Sequence, residues 1–288
     1  MTHRLMAVHA HPDDESSKGA ATYAYYSSRG AEVMIVTCTG GERGDVLNAE
    51  LAHLARAERD LPGLRRTEMA AAAALMGIDQ RWLGYVDSGM PTEDGTVPAG
   101  SFADIPVEIE AESLVRLIRS FRPQVLVTYD ENGGYPHPDH IRSHVLGLEA
   151  YRAAADPERY PDAGEPWQIA KLYYERILNA KRIHSVYDVL KAEQPDSPLI
   201  EQFEKMRSWM DERPFLGTTQ VPVGEHLDVR DAALRAHASQ VAPDSPFFFW
   251  PNELVRKAWP FDDYQLIESH VETTLPEADL FAGVEDDA

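Results

Sequence analysis

Cysteine is nearly missing from this chain: 288 residues contain one, Cys38, and a single thiol excludes an internal disulfide framework. It ends the run Val33-Met34-Ile35-Val36-Thr37-Cys38, where a small buried residue is expected rather than a nucleophile. Positive charge is also scarce, with 27 Lys and Arg against 48 Asp and Glu and a net charge of −21. That balance argues against nucleic acid or an anionic membrane as a partner, because long-range electrostatics would repel both. No apolar run approaches the ~18 residues of a membrane-spanning helix. No charged leader with a long apolar segment precedes the first strand signal, so a soluble, cytoplasmic chain is expected. A Gly-x-Gly-x-x-Gly fingerprint is absent after that strand, which counts against a nicotinamide or flavin enzyme.

What is present is an apolar fraction of 43% on a chain long enough for a sizeable core. The first half alternates strand and helix signals. Strands are expected at Leu5 to His9, Glu32 to Thr37, Arg81 to Tyr85 and Gln124 to Thr128. Helices are expected at Ser17 to Ser28, Leu51 to Met76 (broken at Pro62-Gly63) and Ala111 to Arg119. Alternation with short connections predicts an α/β fold: a Rossmann-like, mostly parallel sheet flanked by helices. The second half is less regular, with strands at Lys171 to Arg176 and Thr218 to Val223, Pro222 confining the latter to an edge. Helices are expected there at Pro198 to Met210, Val229 to Gln240 and Asn252 to Trp259. With neither repeats nor a long linker, the reading is one domain over 1–288: a core over 1–160 and a C-terminal elaboration over 161–288 that walls the pocket.

Two short elements carry the chemistry. His11-Pro12-Asp13-Asp14 follows the first strand, and His137-Pro138-Asp139-His140 follows the fourth. In open α/β sheets ligands bind beyond the carboxyl ends of strands, so the two clusters can meet. One such histidine would most simply be a hydrogen-bonded loop residue; two clusters together point to a metal held by His11, Asp14 and His140, with positions open for water. Zinc suits two imidazoles and a carboxylate, and ferrous iron suits the same set. Asp13, beside the ligands, is the expected general base, with a supporting hydrogen-bond role as the alternative. Tyr135 and His137 are candidates for oxyanion stabilisation and for protonating a leaving amine. Asp139 can orient His137 or another ring by accepting its second N–H. His144, one helical turn past His140, is expected to pack or cap.

These residues resemble the LmbE-like, or PIG-L-like, family of zinc-dependent sugar N-deacetylases and amidases. The family's Ala-His-Pro-Asp-Asp-Glu motif stands at Ala10 to Glu15, and its Pro-His-Pro-Asp-His-like element at Pro136 to His140. Thr39 to Gly44, Arg65 to Glu68, Val86 to Met90, Thr128 to Tyr135, Pro161 to Trp167 and Leu234 to Gln240 are similar to its mycothiol-processing branch. Nearly the whole chain is covered, most thinly between Ala180 and Leu216. The resemblance implies an LmbE-like fold and hydrolysis of the amide in mycothiol S-conjugates, a small-molecule substrate; Asp14 to Gly19 and Leu280 to Glu285 favour that activity. The alternative it implies is deacetylation of N-acetylglucosaminyl-inositol. By the same resemblance Arg65, Asp87 and Asp45 would hold the glucosaminyl-inositol hydroxyls, and Lys18 would meet the acyl part. A surface ion pair with Glu68 remains open for Arg65, as do a solvated helix position for Lys18 and a packing role for His237. A non-catalytic carbohydrate-binding protein with a structural metal is a more distant reading. Homo-oligomer formation is left open.

Overall fold

A computed structural model describes residues 2–210 and 213–285. Seven strands form one sheet: β1 (Arg4–His9), β2 (Glu32–Thr39), β3 (Asp79–Tyr85), β4 (Val125–Thr128), β5 (Lys171–Glu175), β6 (Thr219–Pro222) and β7 (Phe261–Ser269). Their order is β3-β2-β1-β4-β5-β7-β6. The first five are parallel, while β7 runs antiparallel to β5 and β6 antiparallel to β7. The sheet is thus mostly parallel, with Pro222 on an edge strand as its missing N–H requires. Strand order reverses between β1 and β4, and the crevice at such a switch point is where an open sheet binds ligands.

The helices are α1 (Asp14–Lys18), α2 (Ala20–Ser28), α3 (Ala55–Arg59), α4 (Leu61–Met76), α5 (Val107–Phe121), α6 (Pro138–Ala155), α7 (Ala180–Glu193), α8 (Leu199–Met210), α9 (Leu227–Ala236) and α10 (Asn252–Ala258). Alternation along β1 sends Leu5 and Ala7 into one apolar layer and Met6 and Val8 into the other. Leu114 and Ile118 of α5 and Leu146 and Ala150 of α6 close the second layer. Tyr23, Met69, Ile183 and Phe203, from α2, α4, α7 and α8, close the first. Both sheet faces are covered, which is why the central strands read as continuous apolar runs.

Several boundaries differ from expectation, each for a local reason. The first helix starts at Asp14 and is interrupted at Gly19, where a Cβ would come within 2.5 Å of the Tyr23 ring. The long helical stretch breaks at Asp60, not at Pro62-Gly63: the Asp60 carboxylate accepts the Gly63 N–H at 3.0 Å and caps α4. Pro62 then sits in the first turn, where a missing N–H costs nothing. Helix α9 stops at Ala236, so His237 lies at its C-cap rather than inside it. Neither α7 nor β7 was foreseen. No helix among the described residues is long and apolar enough to cross a membrane.

Candidate metal centre

Strand β1 delivers His11 to the switch point, and the turn at Pro12-Asp13 leads into α1, so that Asp14 opens a helix directly beside His11. Across the crevice, β4 ends at Thr128 and a loop returns at His137, the N-cap of α6. The His137 Nδ1 accepts the Asp139 backbone N–H at 3.2 Å, with Pro138 as the first helical residue. His140 follows in the first turn. Gly133 is required in that loop: its φ is +67°, and a Cβ there would stand 2.5 Å from the His140 Cβ.

Hydrogen bonds fix which ring atoms are free. The His140 Nδ1–H donates to the Gly133 carbonyl at 2.9 Å, leaving a lone pair on Nε2. That Nε2 is buried without a hydrogen-bond partner among the described residues and lies 3.4 Å from the Asp14 Oδ2. The His11 Nε2–H donates to the Asp139 carboxylate at 3.2 Å, so its Nδ1, also 3.4 Å from the Asp14 Oδ2, carries the other lone pair. Ligand atoms ~2.1 Å from a tetrahedral ion stand ~3.4 Å apart. Among the described residues, His11, Asp14 and His140 form one of two buried triads whose ligand atoms lie within 4.8 Å of one another. An orphaned buried imidazole nitrogen, two inward lone pairs and one carboxylate fit a divalent metal.

The other triad, His11, His137 and Asp139, shares His11. Its geometry is that of support: the Asp139 Oδ2 takes the His11 Nε2–H and the Ser88 N–H at 3.0 Å. A carboxylate behind a ligand histidine fixes its tautomer and raises its basicity. Asp139 therefore orients His11, one of the two choices the sequence allowed, and not His137. Burial, followed by the neighbouring His11 and His140, pulls the His137 pKa down to about 4. Tyr135 stands at the rim, about half exposed, with its ring edge-on to His140 at 4.6 Å. Beneath the site Tyr129 stacks on His140 at 4.6 Å, and its hydroxyl accepts the Ala10 N–H at 2.9 Å.

Asp13 belongs to neither triad. Its backbone sits at φ 111°, and its carboxylate accepts from the Arg65 Nη2 at 3.2 Å. Burial raises the Asp13 pKa, with the Arg65 charge opposing. Arg65 is itself buried, and the same Nη2 donates to the Pro12 carbonyl at 2.6 Å. The surface pair with Glu68 does not form: Glu68 instead accepts the Ser239 N–H and hydroxyl at 2.8 and 2.6 Å. Lys18 is no solvated helix lysine, since its ammonium pairs with Asp14 and lies 5.4 Å from the Tyr129 ring centroid. Burial would lower the Lys18 pKa, but the Asp14 charge outweighs it and the ammonium is held. Asp87 is buried, with Oδ1 3.6 Å from the His11 Nε2 and accepting the Gly89 N–H at 2.7 Å. Asp45 is exposed on the loop between β2 and α3, where its carbonyl accepts from Gln240. His144 packs as expected, bonding the Tyr129 carbonyl at 3.0 Å. Sequence reasoning missed Glu15, Ser88 and Tyr129. Each lies in a stretch that resembles the family, but nothing in the sequence singles out its side chain.

The family model for PIG-L, GlcNAc-PI de-N-acetylase, matches residues 6–151. A mycothiol S-conjugate amidase of Streptomyces coelicolor is 48% identical, over 99% of this chain and 98% of its own. A 1D-myo-inositol 2-acetamido-2-deoxy-alpha-D-glucopyranoside deacetylase of Streptomyces scabiei is 40% identical, over 98% and 90%. Among solved structures, the N,N'-diacetylchitobiose deacetylase of Pyrococcus horikoshii shares the fold with a TM-score of 0.60 at 17% identity, covering 92% of this chain and 83% of that one. With both short His-Pro-Asp elements on one crevice and relatives aligned over almost its full length, the chain belongs to the PIG-L (GlcNAc-PI de-N-acetylase) family of amide-cleaving enzymes.

Proposed function

We propose that this enzyme is a zinc-dependent amidase that cleaves mycothiol S-conjugates into an N-acetylcysteine S-conjugate and glucosaminyl-inositol. The observation that carries the reaction type is the separation of Asp13 from Asp14. One carboxylate joins two imidazole lone pairs, while its neighbour is held out of that set by Arg65. Similarity over nearly all of both chains to an amidase of that name supports the substrate.

His11, Asp14 and His140 would hold the ion, zinc or ferrous iron by ligand type. A bound divalent ion polarises a carbonyl and lowers the pKa of water from roughly 15.7 toward about 7. Asp13 accepts the proton of the attacking water, and Tyr135 donates its hydroxyl hydrogen bond to the oxyanion. His137, neutral at rest, takes up a proton from solvent as negative charge develops beside it and delivers it to the departing glucosaminyl amine, while Asp13 returns the water's proton to solvent before the next turnover. The water's hydroxyl ends on the acyl carbon and its hydrogen on the amine. Asp139 keeps His11 aimed. Asp45, Asp87 and Arg65 are assigned to the glucosaminyl-inositol half, Arg65 while also bracing Asp13, and Lys18 to the acyl half.

Residues 1–288 act in this reading as one cytoplasmic hydrolase domain, with 161–288 walling the pocket around the 1–160 core. Strands β5, β7 and β6, which continue the sheet of the first half, support the single domain. Deacetylation of N-acetylglucosaminyl-inositol is the second reading, favoured by relatives such as the 40% identical deacetylase. A structural metal in a binding protein is disfavoured, because no four-residue ligand set occurs among the described residues. Product analysis of a mycothiol bimane adduct tests the proposal: free glucosaminyl-inositol should appear with zinc and vanish with chelator. Chelator-insensitive cleavage would sink the metal mechanism.

A further inference from the structure

Asp13 keeps a backbone conformation rare for a residue with a side chain, φ 111° and ψ −24°. Such strain persists only where the surroundings over-determine it. Arg65 supplies one restraint on the carboxylate side. Glu15 supplies another, its Oε2 accepting the Asp13 backbone N–H at 3.0 Å. The other Glu15 oxygen accepts from the Ser16 hydroxyl at 2.5 Å and from the His237 Nε2–H at 2.7 Å. Glu15 and His237 are both fully buried, and the His237 Nδ1 has no hydrogen-bond partner among the described residues. The bond to Glu15 is therefore the ring's polar anchor.

His237 arrives from the opposite end of the sequence on a segment that cannot drift. Glu68 of α4 holds the Ser239 N–H and hydroxyl, and the Leu47 and Asn48 N–H groups donate to the Ser239 carbonyl at 2.9 and 3.1 Å. We propose that His237 is a positioning residue of the reaction: through Glu15 it fixes the Asp13 backbone, and so the direction of the Asp13 carboxylate. This rests on Asp13 being the base. A packing histidine would need only its ring, whereas this one spends its donor on a buried carboxylate whose far oxygen holds Asp13. Without that donor Glu15 can turn and release the N–H, and a misplacement of ~1 Å at a reacting group costs ~10²-fold in rate.

Kinetics on the zinc-loaded enzyme with the mycothiol bimane adduct test this. His237→Gln returns a donor near the Nε2 position, while the shorter His237→Asn stops short of Glu15. His237→Phe, which fills the space without a donor, serves if the Asn chain does not fold. His237→Asn should lower kcat ~10–100-fold with metal per chain and KM near parental values. His237→Gln should recover most of that loss. The Asn change should add nothing in an Asp13→Ala background, because it acts through the same group. Equal kcat for the Gln and Asn (or Phe) variants at equal metal content, or additive losses in the double variant, overturns the role of His237. Undiminished turnover in Asp13→Ala alone would instead remove Asp13 as the base, a separate failure.

Discussion

Asp13 and Asp14 are adjacent, carry the same side chain and face opposite partners. Asp14 turns toward the imidazole nitrogens of His11 and His140, each 3.4 Å away, and Asp13 toward Arg65. Asp13→Ala should keep its bound zinc while losing ~10²–10⁴-fold in kcat, the usual share of a positioned base. Metal content and turnover on the same preparation check this, and loss of the metal would mean the two aspartates have been assigned the wrong way round. Gly133→Ala should act on the metal instead. Its Cβ would push on the His140 Cβ from 2.5 Å in a backbone region that favours glycine. Zinc affinity should weaken by ~10–100-fold, read by chelator competition; unchanged affinity would show that the loop yields without moving His140. The ligand types were legible because imidazole and carboxylate at strand ends are few and specific. The partner of Asp139 was not, since His11 lies 128 positions away and only the sheet brings the two together. The surface pair that stayed open for Arg65 has the same origin: spacing along a helix shows Glu68, but not Pro12 and Asp13.

Helices α5 and α6 meet over the second apolar layer, and Glu110 is caught between them. Its side chain is buried with neither oxygen hydrogen-bonded among the described residues, although the Arg142 Nε lies 3.5 Å away. Burial, only partly opposed by the Arg142 charge, pushes the Glu110 pKa from 4.5 up to about 8. The folded chain keeps this proton to about pH 8, while the unfolded chain releases it near 4.5. Between those values the folded state binds more protons, so this group makes stability fall as pH rises through the window and leaves it level above. Glu110→Gln should remove that decline. Urea midpoints at pH 5.5 and 8 should therefore differ less for the variant than for the parent; parallel pH dependence in the two chains would count against a buried, proton-holding Glu110. Elements of the first half were readable because strands β1, β2 and β4 are continuous apolar runs. Strand β7 was not, because it buries Asp262 and Asp263. Their partners, Arg182 at 3.0 Å for the first and Asn179 and Trp259 at 2.7 and 2.8 Å for the second, come from other elements.

The whole molecule places a site made by the first half under restraints from the second. The core strands bring His11, Asp14 and His140 together, while segment 237–240 reaches back to Glu15, Glu68 and the loop at Leu47 and Asn48. A parallel core with imidazole and carboxylate at its switch point follows from alternation and strand-end chemistry, so the fold class and the meeting of His11, Asp14 and His140 could be read early. The long-range bracing could not, because a histidine at a helix end carries no mark of what it touches. Substrate choice belongs to this scale as well. The decisive measurement is kcat/KM for a mycothiol bimane adduct beside N-acetylglucosaminyl-inositol, on one zinc-loaded preparation. Faster cleavage of the conjugate, abolished by chelator and restored by zinc, is the predicted result; faster release of acetate from the acetylated sugar would contradict it.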